Sequence, residues 1–328
     1  MNNALRAIPC LLLLFVCGLV AAKDTLLIIE SYHPEFEWDL TYKRSIGKQF
    51  ANDYNIATFA MDTKRLPPEQ HQSMADKAWD YYLQIKPKLV FLGDDAALKF
   101  LAKRFANTDT PVVYLGINNN PRAYFDPNKV NNIVGVLERP LIKQGLISIK
   151  QLLPKAQKGL VLFDNDITSQ VIQQDSFASN SRKVINNMTL ELVLIPQWEV
   201  WQQTVKDKLG QYDFIVIGSY QAVHDAHGEH IPADNVITWV SKHASVPVFS
   251  FWDFAVGADK AVGGMVLEGS EQGRLAAEIA QKILHGTLPN KLQPLIAEKG
   301  KLLFSRKQLQ HYQLTIPDSW KQRVHYVD

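Results

Sequence analysis

Three short stretches of the sequence carry side chains able to do chemistry, and each lies directly behind an apolar run. In "SYHPEFEWDL" (31–40) the rings of Tyr32, His33, Phe36 and Trp38 crowd a polar segment. In "GDDAAL" the carboxylates Asp94 and Asp95 follow a single glycine, and in "FSFWDF" Trp252 and Asp253 stand side by side. Rings beside carboxylates hold an ammonium group through cation–π contact and ion pairing. The same set holds a sugar, with rings on its apolar face and carboxylates on its hydroxyls. A free anion would meet uncompensated negative charge there, a large penalty in a poorly hydrated cleft. Bulky rings on a polar loop either pack inward or line such a site, and Tyr32 and Trp38 are expected to line it.

Bond-making chemistry finds no such support. There is no G-x-S-x-G, no G-x-G-x-x-G and no G-x-x-x-x-G-K-[ST] segment. One stretch, "HDAHGEH", brings His224, Asp225, His227, Glu229 and His230 together, and a zinc ion could draw three ligands from it. Gly228 and the following "IPADN" make it a loop, without a helix to fix ligand geometry. No metal, cofactor or catalytic residue is therefore assigned, and the chain is expected not to be an enzyme.

The elements that must position these groups are read from periodicity. Apolar runs at Thr25–Ile29, Ile56–Ala60, Leu89–Leu92, Val112–Leu115 and Ile133–Val136 form one set of strands. A second set comprises Gly159–Phe163, Glu191–Leu194, Phe214–Ile217, Val246–Phe251 and Gly264–Leu267. Several are continuous Val/Ile/Leu/Phe stretches, as parallel strands covered on both faces require. Amphipathic helical patterns alternate with them at Gln70–Ile85, Ala96–Phe105, Leu141–Leu152, Val200–Leu209 and Glu271–Leu284. Repeated βα units give α/β doubly wound sheets, and two sets give two lobes joined at a hinge near Leu137–Leu141. Ligands bind such sheets beyond the carboxyl ends of the strands. The residues found there are Ser31, Tyr32 and Trp38, then Asp62, Asp94, Asp95 and Asn118. From the second lobe come Asp164, Ser219, Tyr220, Trp252 and Asp253. Asp94 is also a natural helix N-cap, and Asn118–Asn120 before Pro121 could be only a turn.

Composition bounds the rest. The 328 residues are 46% hydrophobic and 21% charged with a net charge of +2, which fits a folded two-lobe protein. No basic block appears, so nucleic acid is not the expected partner. At the N-terminus, Arg6, the apolar run Ala7–Val20 and the small residues Ala21 and Ala22 read as a cleaved secretory signal peptide covering 1–22. Val16 before Cys17 disfavours a lipoprotein. Both cysteines, Cys10 and Cys17, lie in this segment, so the chain after it carries no thiol. A bacterial periplasm is the expected location.

The segment "VPVFSFWDFAVGADKAVGGMVLEGSEQGRLAAEIAQKILHGTLPNKLQP" (246–294) resembles the C-terminal signature of ABC transporter substrate-binding proteins of the tryptophan/tyrosine-binding type. The ending "LFSRKQLQHYQLTIPDSW" is also similar to that family's terminus, with Tyr312-Gln313 in place of its usual Leu-Gly. The resemblance implies a type I periplasmic-binding fold in which the chain crosses three times between the lobes. By that pattern, 23–138 plus 263–286 form the first lobe and 139–262 plus 287–328 the second. It implies capture of a small polar or aromatic ligand and delivery to the membrane permease of an ABC transporter. Family members usually carry a small or hydroxyl residue where Asp94 and Asp95 stand, which puts an ordinary amino-acid carboxylate in doubt at this position. The opening "SYHPEFEW" resembles a sensor-associated branch, which implies instead signalling to a membrane histidine kinase or diguanylate cyclase.

Overall fold

The structure is a computed structural model that describes residues 23–177, 181–207 and 210–328. The first lobe is built on β1 (Thr25–Glu30), β2 (Asn55–Ala60), β3 (Leu89–Gly93), β4 (Val112–Ile117) and β5 (Ile133–Glu138). Its helices are α1 (Glu37–Phe50), α2 (Pro68–Ile85) and α3 (Asp94–Phe105). The second lobe begins with α4 (Ile142–Leu152), β6 (Lys158–Phe163), α5 (Ile167–Ile172), β7 (Arg182–Ile185) and β8 (Met188–Leu194). It continues through α6 (Trp198–Asp207), β9 (Phe214–Ile217), α7 (Ala233–His243), β10 (Val248–Ser250) and β11 (Gly263–Val266). The chain then runs α8 (Gly269–Leu284), β12 (Leu295–Ala297), β13 (Lys301–Phe304), α9 (Arg306–His311) and β14 (Val324–Tyr326).

Two sheets result, ordered β12-β5-β4-β3-β1-β2 and β14-β13-β11-β10-β9-β6-β8-β7. All pairings in the first are parallel, as the continuous apolar runs require; β3 and β4 are buried along their whole length. In the second, only the β7–β8 hairpin and the β11–β13 pair are antiparallel. Each sheet reverses its winding beside one strand: β1 sits between β2 and β3, and β6 between β8 and β9. The crevices beyond the carboxyl ends at these reversals are the places where such sheets accept ligands.

Three crossings join the lobes, between β5 and α4, β11 and α8, and β12 and β13. The crossing points differ from the expected ones. Gly263 does not begin a return to the first lobe, because β11 pairs with β10 and β13 in the second sheet. The return starts with α8, which packs on α1, and it extends to β12, which pairs with β5. The short β12 pairs in parallel with β5 and forms the edge of the first sheet on that side. Gly273 makes the α1–α8 contact possible: a Cβ there would meet the carbonyl oxygen of Tyr42 at 2.4 Å. That contact seats α1, and α1 carries Trp38. Among the described residues no helix is long and apolar enough to cross a membrane. The signal segment expected at 1–22 lies outside the described residues.

Candidate ligand-binding cleft

The two winding reversals face each other, and between them lies a cavity of about 30 Å³. Rings wall it from both lobes: Tyr32, Phe36 and Trp38 from the first, Trp252 and Phe254 from the second. Its polar lining is Lys64, Asp94, Glu138, Thr168, Ser219 and Gln221. The rings interlock across the cleft. Phe254 lies 5.3 Å from Phe36 and 6.2 Å, edge-on, from Trp38, and it stacks on Trp252 at 6.3 Å. Such offset and edge contacts are the favoured aromatic geometries.

Asp94 is held in an uncommon backbone state. It is the first residue of α3, its φ is 70°, and its Oδ1 accepts from the Asp95 amide at 2.6 Å. A left-handed backbone at a non-glycine residue costs on the order of 1 kcal/mol and persists where its surroundings impose it, often at functional sites. Here the surroundings include Tyr32, whose hydroxyl donates to Asp94 Oδ2 at 2.5 Å, and Thr168 of the other lobe, whose hydroxyl donates to Oδ1 at 3.2 Å. Asp94 is therefore not the N-cap; Gly93 holds that position. Ser31 ties the helix start to β1 instead, donating to the Gly93 carbonyl at 2.6 Å and accepting from the Ala97 amide at 2.8 Å.

Glu138 ends β5 and is 2% exposed. It accepts from the Trp252 indole N–H at 2.7 Å, the second polar link between lobes. Burial, with Asp94 close by, pushes its carboxyl up to about 8. Burial also raises Asp94, although Lys64 and Tyr32 oppose the rise.

Lys64 is the third link. Its ammonium is 2.6 Å from Asp166 and 3.0 Å from the Ser219 hydroxyl, both in the second lobe, and 4.8 Å from the centre of the Tyr32 ring. Burial alone would lower its pKa, but Asp166, Asp164 and Asp94 reverse that and raise it, so the side chain stays charged. The acid in this cleft is thus partly compensated by a buried cation. This corrects the expectation that an anionic group would meet only negative charge.

Of the residues expected at the site, Tyr32, Trp38, Asp94, Ser219 and Trp252 line the cavity together. The others stand elsewhere. Asp95 points into its own lobe, accepting from the amides of Asn118 and Asn119 and from the Tyr124 hydroxyl. Asp62 has a left-handed backbone and binds Arg65 through both carboxylate oxygens at 2.7 Å, outside the cavity. Asp164 braces the second lobe, accepting from Ser169 and Ser219 hydroxyls and the Ala222 amide. Ser31 and Asn118 support rather than line it, Tyr220 faces an adjoining chamber, and Asp253 begins a 3-10 turn beside Glu268. The "HDAHGEH" loop folds on its own backbone: Asp225 accepts from the amides of His227 and Glu229, while ring nitrogens of His224 and His230 bond backbone carbonyls. Among the described residues no group of three or more His, Cys, Asp or Glu is placed to hold a metal.

Phe36, Lys64, Glu138, Thr168, Gln221 and Phe254 complete the lining without having been singled out for it. Each lies within a few residues of a strand end that was read. Lys64 follows Asp62 by two positions, Glu138 closes a strand taken only as a lobe boundary, and Phe254 is two beyond Trp252.

Two parallel-rich α/β lobes, three crossings and a cleft at facing winding reversals define a two-lobe binding protein of the type I periplasmic-binding-protein kind. The model of the family described as "ABC transporter substrate binding protein" matches residues 96–326, and the chain belongs to that family. Its members bind ligands rather than transform them. No curated protein matches the chain. Among solved structures, it is similar to an ABC domain from Streptococcus pneumonia in complex with L-Trp. That match has a TM-score of 0.69 and 19% identity, covering 93% of this chain and 99% of the other. It is also similar to a ligand-free, open substrate binding protein with adhesive properties from Clostridium difficile, with TM-score 0.64, 17% identity and the same coverages. A conserved domain protein from Vibrio cholerae matches with TM-score 0.68 and 14% identity, again over 93% and 99%.

Proposed function

We propose that this chain is a periplasmic solute-binding protein that closes on a small ligand bearing a protonated amine and delivers it to the membrane permease of an ABC transporter. The observation that carries the ligand assignment is the pair of buried carboxyls, Asp94 and Glu138, at one cavity walled by Tyr32, Phe36, Trp38, Trp252 and Phe254. Both acids are costly to ionise while buried, and Lys64, the cation in the same lining, offsets this only in part because Asp166 and Ser219 hold its ammonium; a second ammonium between the acids removes the remaining cost while gaining cation–π contact from the rings.

The test is a thermal-shift screen of the exported chain against amines, amino acids, sugars and nucleosides, followed by calorimetry on wild type and Asp94→Asn. An amine ligand whose binding collapses in Asp94→Asn supports the assignment. A best ligand without a cationic group, bound equally by both proteins, overturns it. Mass spectrometry of the exported protein should start near Lys23, and an intact N-terminus or a lipid on Cys17 would remove the proposed export route.

A second reading keeps the cleft but changes the recipient. The segment "SYHPEFEW", which resembles the sensor-associated branch, supplies Tyr32, Phe36 and Trp38 to the cavity wall. On this reading the closed protein engages a membrane histidine kinase or diguanylate cyclase. A permease and ATPase gene beside this one favours transport, and a kinase or cyclase gene favours sensing.

A further inference from the structure

A cationic head entering the cavity meets two kinds of surface, and they are unequal. Among the described residues, five rings wall the space: Tyr32, Phe36 and Trp38 from the first lobe, Trp252 and Phe254 from the second. They form one connected cluster. Tyr32 meets Phe36 edge-on at 5.0 Å, and Phe254 contacts Phe36, Trp38 and Trp252 at 5.3, 6.2 and 6.3 Å. One ring already carries a cation, since the Lys64 ammonium lies 4.8 Å from the centre of Tyr32. Because the second lobe supplies Trp252 and Phe254, the set is complete only when the lobes come together.

The acceptors of the lining are in a different condition, because they already hold donors of the protein itself. Asp94 Oδ1 takes the Asp95 amide and the Thr168 hydroxyl, and its Oδ2 takes the Tyr32 hydroxyl. Those bonds use most of the roughly four lone-pair sites of a carboxylate. Glu138 Oε1 takes the Trp252 indole at 2.7 Å, Ser219 receives the Lys64 ammonium, and Gln221 Oε1 receives the Tyr220 amide at 2.9 Å. A primary ammonium brings three N–H donors, and each one buried without an acceptor loses the hydrogen bond it made to water. Freeing acceptors by breaking the Thr168 or Trp252 bond would undo a link between the lobes. An N-methylated ammonium keeps the same charge, needs no acceptor for each N–H replaced, and buries its methyl groups against rings. The carboxylates then act on it through space, and the rings through cation–π contact.

We propose that the cleft selects an N-methylated ammonium head, so that the ligand class is the tertiary and quaternary methylamines, caged by rings from both lobes. This rests on the amine reading of the cavity given above and narrows it from amines at large to methylated ones. The probes are ethanolamine, N,N-dimethylethanolamine and choline, all cations near neutral pH that differ only in methylation. Neohexyl alcohol copies the shape of choline without its charge, and tetramethylammonium supplies the head alone. Each is titrated calorimetrically into the exported chain. The variants are Trp38→Leu, Trp38→Phe and Phe254→Leu, each checked for an unchanged melting temperature, the last testing the cage from the other lobe should the Trp38 variants unfold.

Choline should bind about tenfold more tightly than ethanolamine, with dimethylethanolamine between them and the alcohol weakest. Trp38→Leu and Phe254→Leu should each weaken choline roughly tenfold, whereas Trp38→Phe, which keeps a ring, should lose less. If ethanolamine binds as tightly as choline, selection for methyl groups fails while the amine reading stands. If neohexyl alcohol binds as tightly as choline, the amine reading itself fails. Folded leucine variants that bind choline like wild type overturn the cage. Absence of binding by both choline and tetramethylammonium at millimolar concentration overturns the proposed class.

Discussion

Lys64→Met separates a buried interlobe ion pair from ordinary surface pairing. The Lys64 side chain is 2% exposed and that of Asp166 12%, with 2.6 Å between ammonium and carboxylate. Removing one partner of a buried pair strands the other charge and typically costs about 3–5 kcal/mol. The remaining acids sharpen the loss, since Asp164 is held below its ordinary pKa, against burial, chiefly by Lys64. The control is Lys301–Glu268, spaced almost identically at 2.8 Å but 31% and 30% exposed. Lys301→Met should cost only about 0.2–1 kcal/mol, because solvent screens the pair. Chemical denaturation monitored by circular dichroism gives each value. The double variant Lys64→Met/Asp166→Asn should be more stable than Lys64→Met alone, because it removes the stranded carboxylate. Because the pair ties the lobes, small-angle scattering should also report a larger radius of gyration for Lys64→Met without ligand. A cost no greater than that of Lys301→Met, with unchanged scattering, would refute the interlobe latch.

Trp38→Ala should weaken the identified ligand by about 1–3 kcal/mol, the range of buried aromatic anchors, as read by calorimetry. Glu138 has its pKa raised from 4.5 to about 8, so the folded state binds more protons between those values and its contribution to stability falls as pH rises through them. Thermal melts of Glu138→Gln should therefore gain on wild type as pH increases from 4.5 to 8, and a constant difference would count against the burial of this acid. Asp95→Asn should lower stability by about 1–3 kcal/mol through mismatched bonds to Asn118, Asn119 and Tyr124, while ligand affinity measured at the same pH stays at the wild-type value. Saturating ligand should shift tryptophan fluorescence and reduce the radius of gyration, and an unchanged profile with ligand bound would argue against hinge closure.

By itself the sequence determined the elements and the neighbourhood of the cleft. Continuous apolar runs such as Leu89–Leu92 specify parallel strands because both faces must be covered, and turn residues behind them mark where ligands approach. That reasoning named Tyr32, Trp38, Asp94, Ser219 and Trp252, which share one cavity lining; Tyr32, Asp94 and Ser219 follow strands at a winding reversal, whereas Trp38 is carried by α1 and Trp252 follows β10. Direction was not legible. Asp94 and Asp95 are adjacent and identical in type, yet the φ of 70° at Asp94 turns one carboxylate to the cavity and leaves the other to bind the Asn118 and Asn119 amides. Nor does a local pattern reveal that Lys64 finds Asp166 and Ser219 more than a hundred positions away, or that Glu138 meets the Trp252 indole. Both pairings exist only because two separately wound lobes present their reversals to each other. The crossing at β11 obeys the same logic: Gly263–Val266 pairs with whichever sheet offers open neighbours, and β10 and β13 of the second lobe supply them. Local propensity sets what each segment becomes, whereas charge pairing across the cleft depends on distances that only the assembled lobes create.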